Sequence, residues 1–335
     1  MDLDVFVAAH RAEWDRLAEL VRRSGRLRGP EADELVRLYQ RAATHLSIVR
    51  STSPDPALLA RLSSLVTKAR SAVTGTHSPA WREVGLFFSR RFPAAVYRSW
   101  PWWVATTVVF TVVTGLLSAW IASDARVRAT IAAPDEIRAM TEPGGGYEAY
   151  YSSEPAASFA AQVWTNNAQV AAASLVLGVL LGLPVLLVLW TNALNLGVGI
   201  GLMTSAGRGE LFLGLLAPHG LLELTAVFVA AGTGLRLGWT VLDPGGLTRS
   251  AALARAGRSV VAIALGLVVV LLVSGLIEAF VTPSGLPTWA RVGIGVAAEA
   301  AFLAYVFVLG RRAAAEGETG DVDARAAGDE APVAG

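Results

Sequence analysis

The sequence predicts an all-α membrane protein: a polytopic bundle of about six transmembrane helices, preceded by a cytoplasmic helical region and an interfacial elbow helix. Three observations predict it. Of 335 residues, 53% are hydrophobic and only 16% are charged, against about one quarter charged in a soluble domain. The apolar residues gather after residue 100 in runs near the ~20 residues that cross a bilayer. Before residue 100 the pattern is different, with amphipathic helical periodicity and ordinary charge.

The first element is the helical region over residues 1–78. In "EADELVRLYQRAATHLSIVR", Leu35, Leu38, Tyr39, Ala42, Leu46 and Val49 recur at three- and four-residue steps. Leu58, Leu62, Leu65, Ala69 and Val73 repeat the pattern in "PALLARLSSLVTKARSAV". Each set lines one face of a helix, and the opening residues form a third. Gly29-Pro30 and "STSPDP" punctuate the three. The expected result is a small helical bundle, with docking of a cytoplasmic partner as the sharper alternative.

Residues 79–100 form the elbow. Trp81, Val84, Phe87, Phe88, Phe92 and Val96 fit one side of a helix flanked by Arg82, Arg90, Arg91 and Arg98. Aromatics with arginines beside a span suit the headgroup layer.

Six apolar segments fill the transmembrane domain, 101–310, at about 102–122, 167–190, 192–207, 211–236, 260–281 and 289–310. The third is weak, and either spans or is re-entrant. Arginine sets the orientation. Arg90, Arg91 and Arg98 precede the first span, Arg236, Arg249, Arg255 and Arg258 lie in or beside the fourth loop, and Arg311 and Arg312 follow the last span. Six crossings put all of them on one side, with both termini cytoplasmic in a bacterial inner membrane. The outer loop, about 123–165, is mixed in charge and suited to a partner or a lid. The tail, 311–335, is acidic, small in residue size and expected to be disordered.

Several function classes are excluded or unsupported. The net charge of +1 gives no reason to expect a nucleic-acid partner. With no cysteine there is no disulfide, iron–sulfur cluster or cysteine-ligated zinc. The acidic, mixed opening "MDLDVFVAAHRAEWDRL" gives no expectation of a signal peptide. The chain has a single lysine, Lys68, a bias expected of a GC-rich, actinobacterial genome. There is no H-E-x-x-H and no Walker A sequence. Neither an enzyme, a cofactor nor a metal is expected.

The residues that stand out are polar groups inside apolar runs: His219, Glu223, Glu278 and Glu299, with Asn166, Asn167, Asn192 and Asn195. Ionisable groups there are costly and face the protein interior or a water-filled path. Glu278 lies near a span end, where snorkelling makes it cheap. His219 and Glu223 share one helix face with Ala226, Ala230 and Gly234, while Leu221 and Phe228 point elsewhere. Pro218 is expected to start that helix, with 211–217 a separate piece. Three roles remain open for His219 and Glu223: buried packing, a proton or ion path with Glu299, or a hydrolytic metal site. The "GVGIG" run with Gly197, Gly199 and Gly201, and the G-x-x-x-G pair Gly178 and Gly182, suit close helix packing.

These residues also carry a resemblance. Asn166-Asn167, Gly178, Gly182, the run Asn192, Asn195, Gly197 and Gly199, and above all Pro218-His219-Gly220 with Glu223, followed by Gly232 and Gly234, resemble the stage II sporulation protein M family. The resemblance is firm over about 160–240. It implies a multi-span anchor in a membrane complex with peptidoglycan-degrading proteins, without catalytic activity of its own. The expected function is therefore a non-enzymatic scaffold or assembly component of the cell envelope, linked to cell-wall remodelling. Its partners would be the lipid bilayer, envelope proteins and a second copy of the chain. The alternative is a transporter or ion-coupled channel using His219, Glu223 and Glu299.

Overall fold

A computed structural model describes residues 3–24, 27, 29–52, 55–73, 80–150 and 156–320. All regular elements among them are helical. The chain divides into two compact units, Met1–Val84 and Gly85–Gly335.

In the first unit, α1 (Leu3–Arg22), α2 (Pro30–Thr52) and α3 (Pro56–Val73) pack on one another. Their core is Trp14, Leu17, Leu20, Leu35, Ala42, Val49, Leu62 and Ala69, with Leu38, Tyr39, Leu46, Leu58, Leu65 and Val73 against it. The three- and four-residue repeats are thus the buried faces. Arg16 ties α1 to α2 by donating from Nε and Nη2 to the two Glu34 oxygens, at 3.1 and 2.8 Å.

The elbow consists of α4 (Ala80–Leu86), a π turn at Phe87–Arg91 and α5 (Phe92–Arg98). Its aromatic stripe is split. Trp81 and Val84 are exposed, whereas Phe92 and Val96 are fully buried. α5 lies against the last helix of the bundle, and the Tyr305 hydroxyl donates to the Phe88 carbonyl.

The second unit then runs α6 (Trp100–Ser123), three short helices α7 (Ala125–Ile131), α8 (Pro134–Thr141) and α9 (Gly146–Ala149), and α10 (Ala156–Leu177). α11 (Leu183–Ser205), α12 (Gly209–Leu242), α13 (Arg249–Leu276) and α14 (Thr288–Ala304) follow, and α15 (Arg311–Ala315) closes the unit. α13 and α14 continue through π turns at Ile277–Val281 and Tyr305–Gly310. Five of the helices, 100–123, 183–205, 209–242, 249–281 and 288–315, are long and apolar enough to cross a membrane. α10, with 22 residues, is not among the five.

The segment boundaries differ from those the hydropathy suggests. The second and third segments are recut: residues 167–177 end α10, and 183–205 form one helix, so 192–207 is neither a separate span nor re-entrant. The cut falls at Gly178–Gly182, where Leu181 (φ 58°) and Gly182 (φ 74°) are left-handed. Gly178 and Gly182 therefore form a turn, not a helical G-x-x-x-G. Pro218 does not start a helix either, because α12 runs unbroken through it.

α12 is the central helix. It packs against α6, α10, α11, α13 and α14, and Val227, Phe228, Val229, Ala230 and Ala231 are all buried. Phe228, expected on the side away from the packing face, is buried too, whereas Leu221 on that side is exposed. The glycines of α12 permit these approaches. A Cβ on Gly232 would stand 2.5 Å from Trp103 Cα, and Gly178 meets Gly234 where a Cβ on either would overlap backbone. Along α11 a Cβ would meet Leu117 at 3.0 Å from Gly197, Phe212 at 3.0 Å from Gly199 and Ile121 at 2.7 Å from Gly201.

The outer faces of α6, α11 and α13 are exposed valine, leucine and tryptophan, among them Val109, Leu116, Leu187, Trp190, Leu265 and Leu272. That inversion of the soluble pattern suits lipid as the solvent. The start of the predicted disordered tail is ordered. Ala313 is buried and Arg98 donates to the carbonyls of Glu318 and Ala314, at 2.8 and 3.2 Å. The remainder of that expectation, 321–335, lies outside the described residues.

Candidate functional site: a buried polar cluster

The proline of α12 sets up the site. It has no N–H, so the Gly214 carbonyl loses its usual helical donor. Such irregularity is tolerated in a span only under protein cover, and Pro218, His219 and Gly220 are all buried. Gly295 of α14 lies against the next turn, with a Cβ there 2.8 Å from the Ala217 oxygen.

His219 and Glu223 leave α12 one turn apart and meet the end of α13. Ser274, Glu278 and Thr282 come at four-residue steps from that end. In an α-helix each such step overshoots a turn by about 40°. The π turn, closed by Thr282 N donating to Ile277 O at 3.1 Å, is wider and offsets the drift. All three side chains thereby face α12. His219 Nδ1 is 3.2 Å from Thr282 Oγ1, and its Nε2 is 3.7 Å from Glu278 Oε1. Ser274 Oγ lies 3.1 Å from the His219 carbonyl and 3.5 Å from Glu223 Oε2. His219, Ser274, Glu278 and Thr282 are each at most 4% exposed. Glu278 is thus not snorkelling: it is an interior partner of His219.

α10 brings Asn167 near Glu223, and Asn166 donates to Asn167 Oδ1 at 3.5 Å. Glu299 stands apart on α14, accepting from Thr225 Oγ1 at 2.9 Å. Asn192 donates to its own helix at Val188 O, 2.7 Å away, and Asn195 is exposed, so neither joins the cluster. Two carboxylate oxygens, Glu278 Oε2 and Glu299 Oε2, are buried without a hydrogen-bond partner.

The segment after α6 folds over one end of the bundle. Arg208, between α11 and α12, donates to the Thr141 carbonyl at 2.7 Å and pairs with Glu148. Tyr147 packs edge-on against Phe212. Tyr150 has its phenol pushed up by burial and by the Glu278 and Glu223 carboxyls. At the same end a cavity of about 590 Å³ is lined by Glu148, Glu210, Thr282, Thr288 and Arg291, with Leu211, Leu215 and Pro283. Arg291 donates to the Thr282 carbonyl at 2.5 Å. The cavity reaches Thr282 and stops short of His219, Glu223, Glu278 and Glu299.

Hydropathy reading misses Ser274, Thr282, Arg208 and Tyr150. A signal for two of them is present, since Ser274, Glu278 and Thr282 sit at helical spacing within one apolar run. For Arg208 and Tyr150 there is none, because their partners are distant in sequence.

A family model described as stage II sporulation protein M matches residues 105–283, more than half of the chain. The chain belongs to this family. The family region holds Asn166, Asn167, His219, Glu223, Ser274, Glu278 and Thr282, and ends before Glu299. A second model, described as a domain of unknown function (DUF8413), matches residues 4–75, the three-helix unit. No curated protein and no solved structure matches the chain.

Proposed function

We propose that this member of the stage II sporulation protein M family is a non-enzymatic scaffold or assembly component of the bacterial cell envelope, linked to cell-wall remodelling. One observation carries the proposal. His219, Ser274, Glu278 and Thr282 face one another between α12 and the end of α13, and the walls of the adjoining cavity include neither His219 nor Glu278. A polar cluster of this kind fixes the register of two helices.

Two features support an inner-membrane topology with both termini cytoplasmic. Arg98, Arg236 and the start of the tail meet at one end of the bundle, where Arg236 Nη1 donates to Ser99 Oγ at 3.0 Å and Arg98 reaches Glu318. The segment 125–149 packs at the ends of α11 and α12 held by Arg208, away from that cluster of arginines. Arginine clusters mark the cytoplasmic side. The outer helices then have bilayer on their exposed faces, and envelope proteins that remodel peptidoglycan are the expected partners, with self-association as a further contact.

The test is affinity purification from native membranes in mild detergent. Co-purification of proteins carrying peptidoglycan-remodelling domains is the expected result. Recovery of this chain alone would contradict it. In proteoliposomes a scaffold gives no solute flux, and a flux abolished by Glu223→Gln would favour the ion-coupled alternative.

A further inference from the structure

We propose that His10, Glu13 and His45 of the three-helix unit bind a transition-metal cation, with Zn²⁺ the best fit. His10 and Glu13 are three apart on α1 and so share a face, and His45 faces them from α2. One donor atom from each lies within 4.8 Å of the other two, the one such group among the described residues.

Two of the donors have no other use. His10 Nδ1 and Glu13 Oε2 are buried without a hydrogen-bond partner, and they stand 4.0 Å apart. That is too far for a hydrogen bond. Zinc bonds of about 2.0–2.2 Å place tetrahedral ligands about 3.4 Å apart, so binding draws these atoms together and turns the two imidazoles, now 4.0 Å apart between centroids, until their in-plane lone pairs converge. The surroundings are those of a positioned ligand set. Arg41 Nη1 holds the other Glu13 oxygen at 3.1 Å, leaving Oε2 for the ion. Phe6 packs edge-on against both imidazoles, with ring centroids 4.6 Å from His10 and 5.4 Å from His45.

Two imidazoles and a carboxylate suit zinc and neighbouring transition metals, whereas calcium and magnesium favour oxygen alone. Three protein donors leave a fourth position for water or a partner's ligand. Binding carries one cost. Trp14 Nε1 donates to His45 Nδ1 at 3.2 Å. A cation on Nδ1 takes the lone pair that the indole uses. A cation on Nε2 leaves a proton on Nδ1, which then faces the indole N–H donor to donor. Either way the Trp14 bond is lost.

The test uses the full chain in detergent, without a polyhistidine tag and stripped with a chelator, with separate samples dialysed against ZnCl₂ or Co²⁺. One zinc per chain is expected, with the visible absorption of four-coordinate Co²⁺. His10→Gln and Glu13→Gln should each weaken zinc binding by about tenfold or more and remove the Co²⁺ absorption, with helix content unchanged. Glu13→Gln preserves side-chain size, so it decides the matter if His45→Gln does not fold. An absence of saturable binding would overturn the proposal. So would zinc bound equally by wild type and Glu13→Gln, which would mark an adventitious ion only.

Discussion

His219 on α12 and Glu278 on the π turn after α13 face each other at 3.7 Å, and each is at most 4% exposed. Truncating Glu278 removes a buried polar group from beside His219 and leaves a cavity between α12 and the end of α13. Glu278→Ala should therefore destabilise the bundle by about 1–3 kcal/mol, and by more if the remaining group carries charge. The thermal midpoint in detergent and the amount accumulated in membranes report this. The exposed Glu142→Ala is the comparison. Equal behaviour of the two variants would remove the structural role of the pair.

Close approach at glycine gives a second prediction. Gly232→Ala drives a methyl to 2.5 Å from Trp103 Cα, and overpacking of this kind costs about 1–3 kcal/mol. Gly257→Ala, in α13 with nothing within 4 Å, should be neutral or gain up to about 1 kcal/mol from helix propensity. Thermal melts of the two variants should move in opposite directions or differ clearly in size.

Arg208 fastens the segment between α6 and α10 through Thr141 and Glu148. Arg208→Gln should speed hydrogen exchange and proteolysis across residues 134–149 and leave α13 unchanged. Protection unaltered by the substitution would mean that the segment is held elsewhere.

In the three-helix unit, Arg16 hydrogen-bonds Glu34 and holds its carboxyl below the ordinary value of 4.5. A folded-state pKa below the unfolded one gives stability that is present above the unfolded value and lost as pH falls through the folded one. Glu34→Gln should thus lower protection of α1 and α2 at neutral pH, modestly because the pair is part-exposed. Hydrogen exchange should show the difference from wild type vanishing in acid. A difference that persists there would contradict the ion-pair account.

The sequence made the helices legible, and much less of their boundaries. Leu35, Ala42, Val49, Leu62 and Ala69 repeat at helical steps and are the core of the first unit, because local periodicity reports burial directly. The Pro218-His219-Gly220 run with Glu223, on which the family resemblance rests, lies inside the matched region 105–283. Boundaries escape local reading where punctuation depends on neighbours. Pro218 sits inside a continuous helix under protein cover, and the chain turns at Gly178–Gly182 without any polar interruption. Glu278 looked cheap near a span end, since nothing local tells that His219 waits opposite. The sequence offers Glu299 as a companion of His219 and Glu223, yet its partner is Thr225. Long-range pairing of this sort has no trace in a single sequence.

The most direct test of the closed cluster uses the absence of cysteine from the chain. Single cysteines are placed at Ser274, which is fully buried in the cluster, and at Thr288 on the wall of the adjoining cavity. Both are treated in native membranes with a charged, membrane-impermeant thiol reagent from each side. The account predicts labelling of Thr288→Cys and none of Ser274→Cys. Labelling of Ser274→Cys from either side would show water reaching His219 and Glu278, and would replace the scaffold with a conducting path.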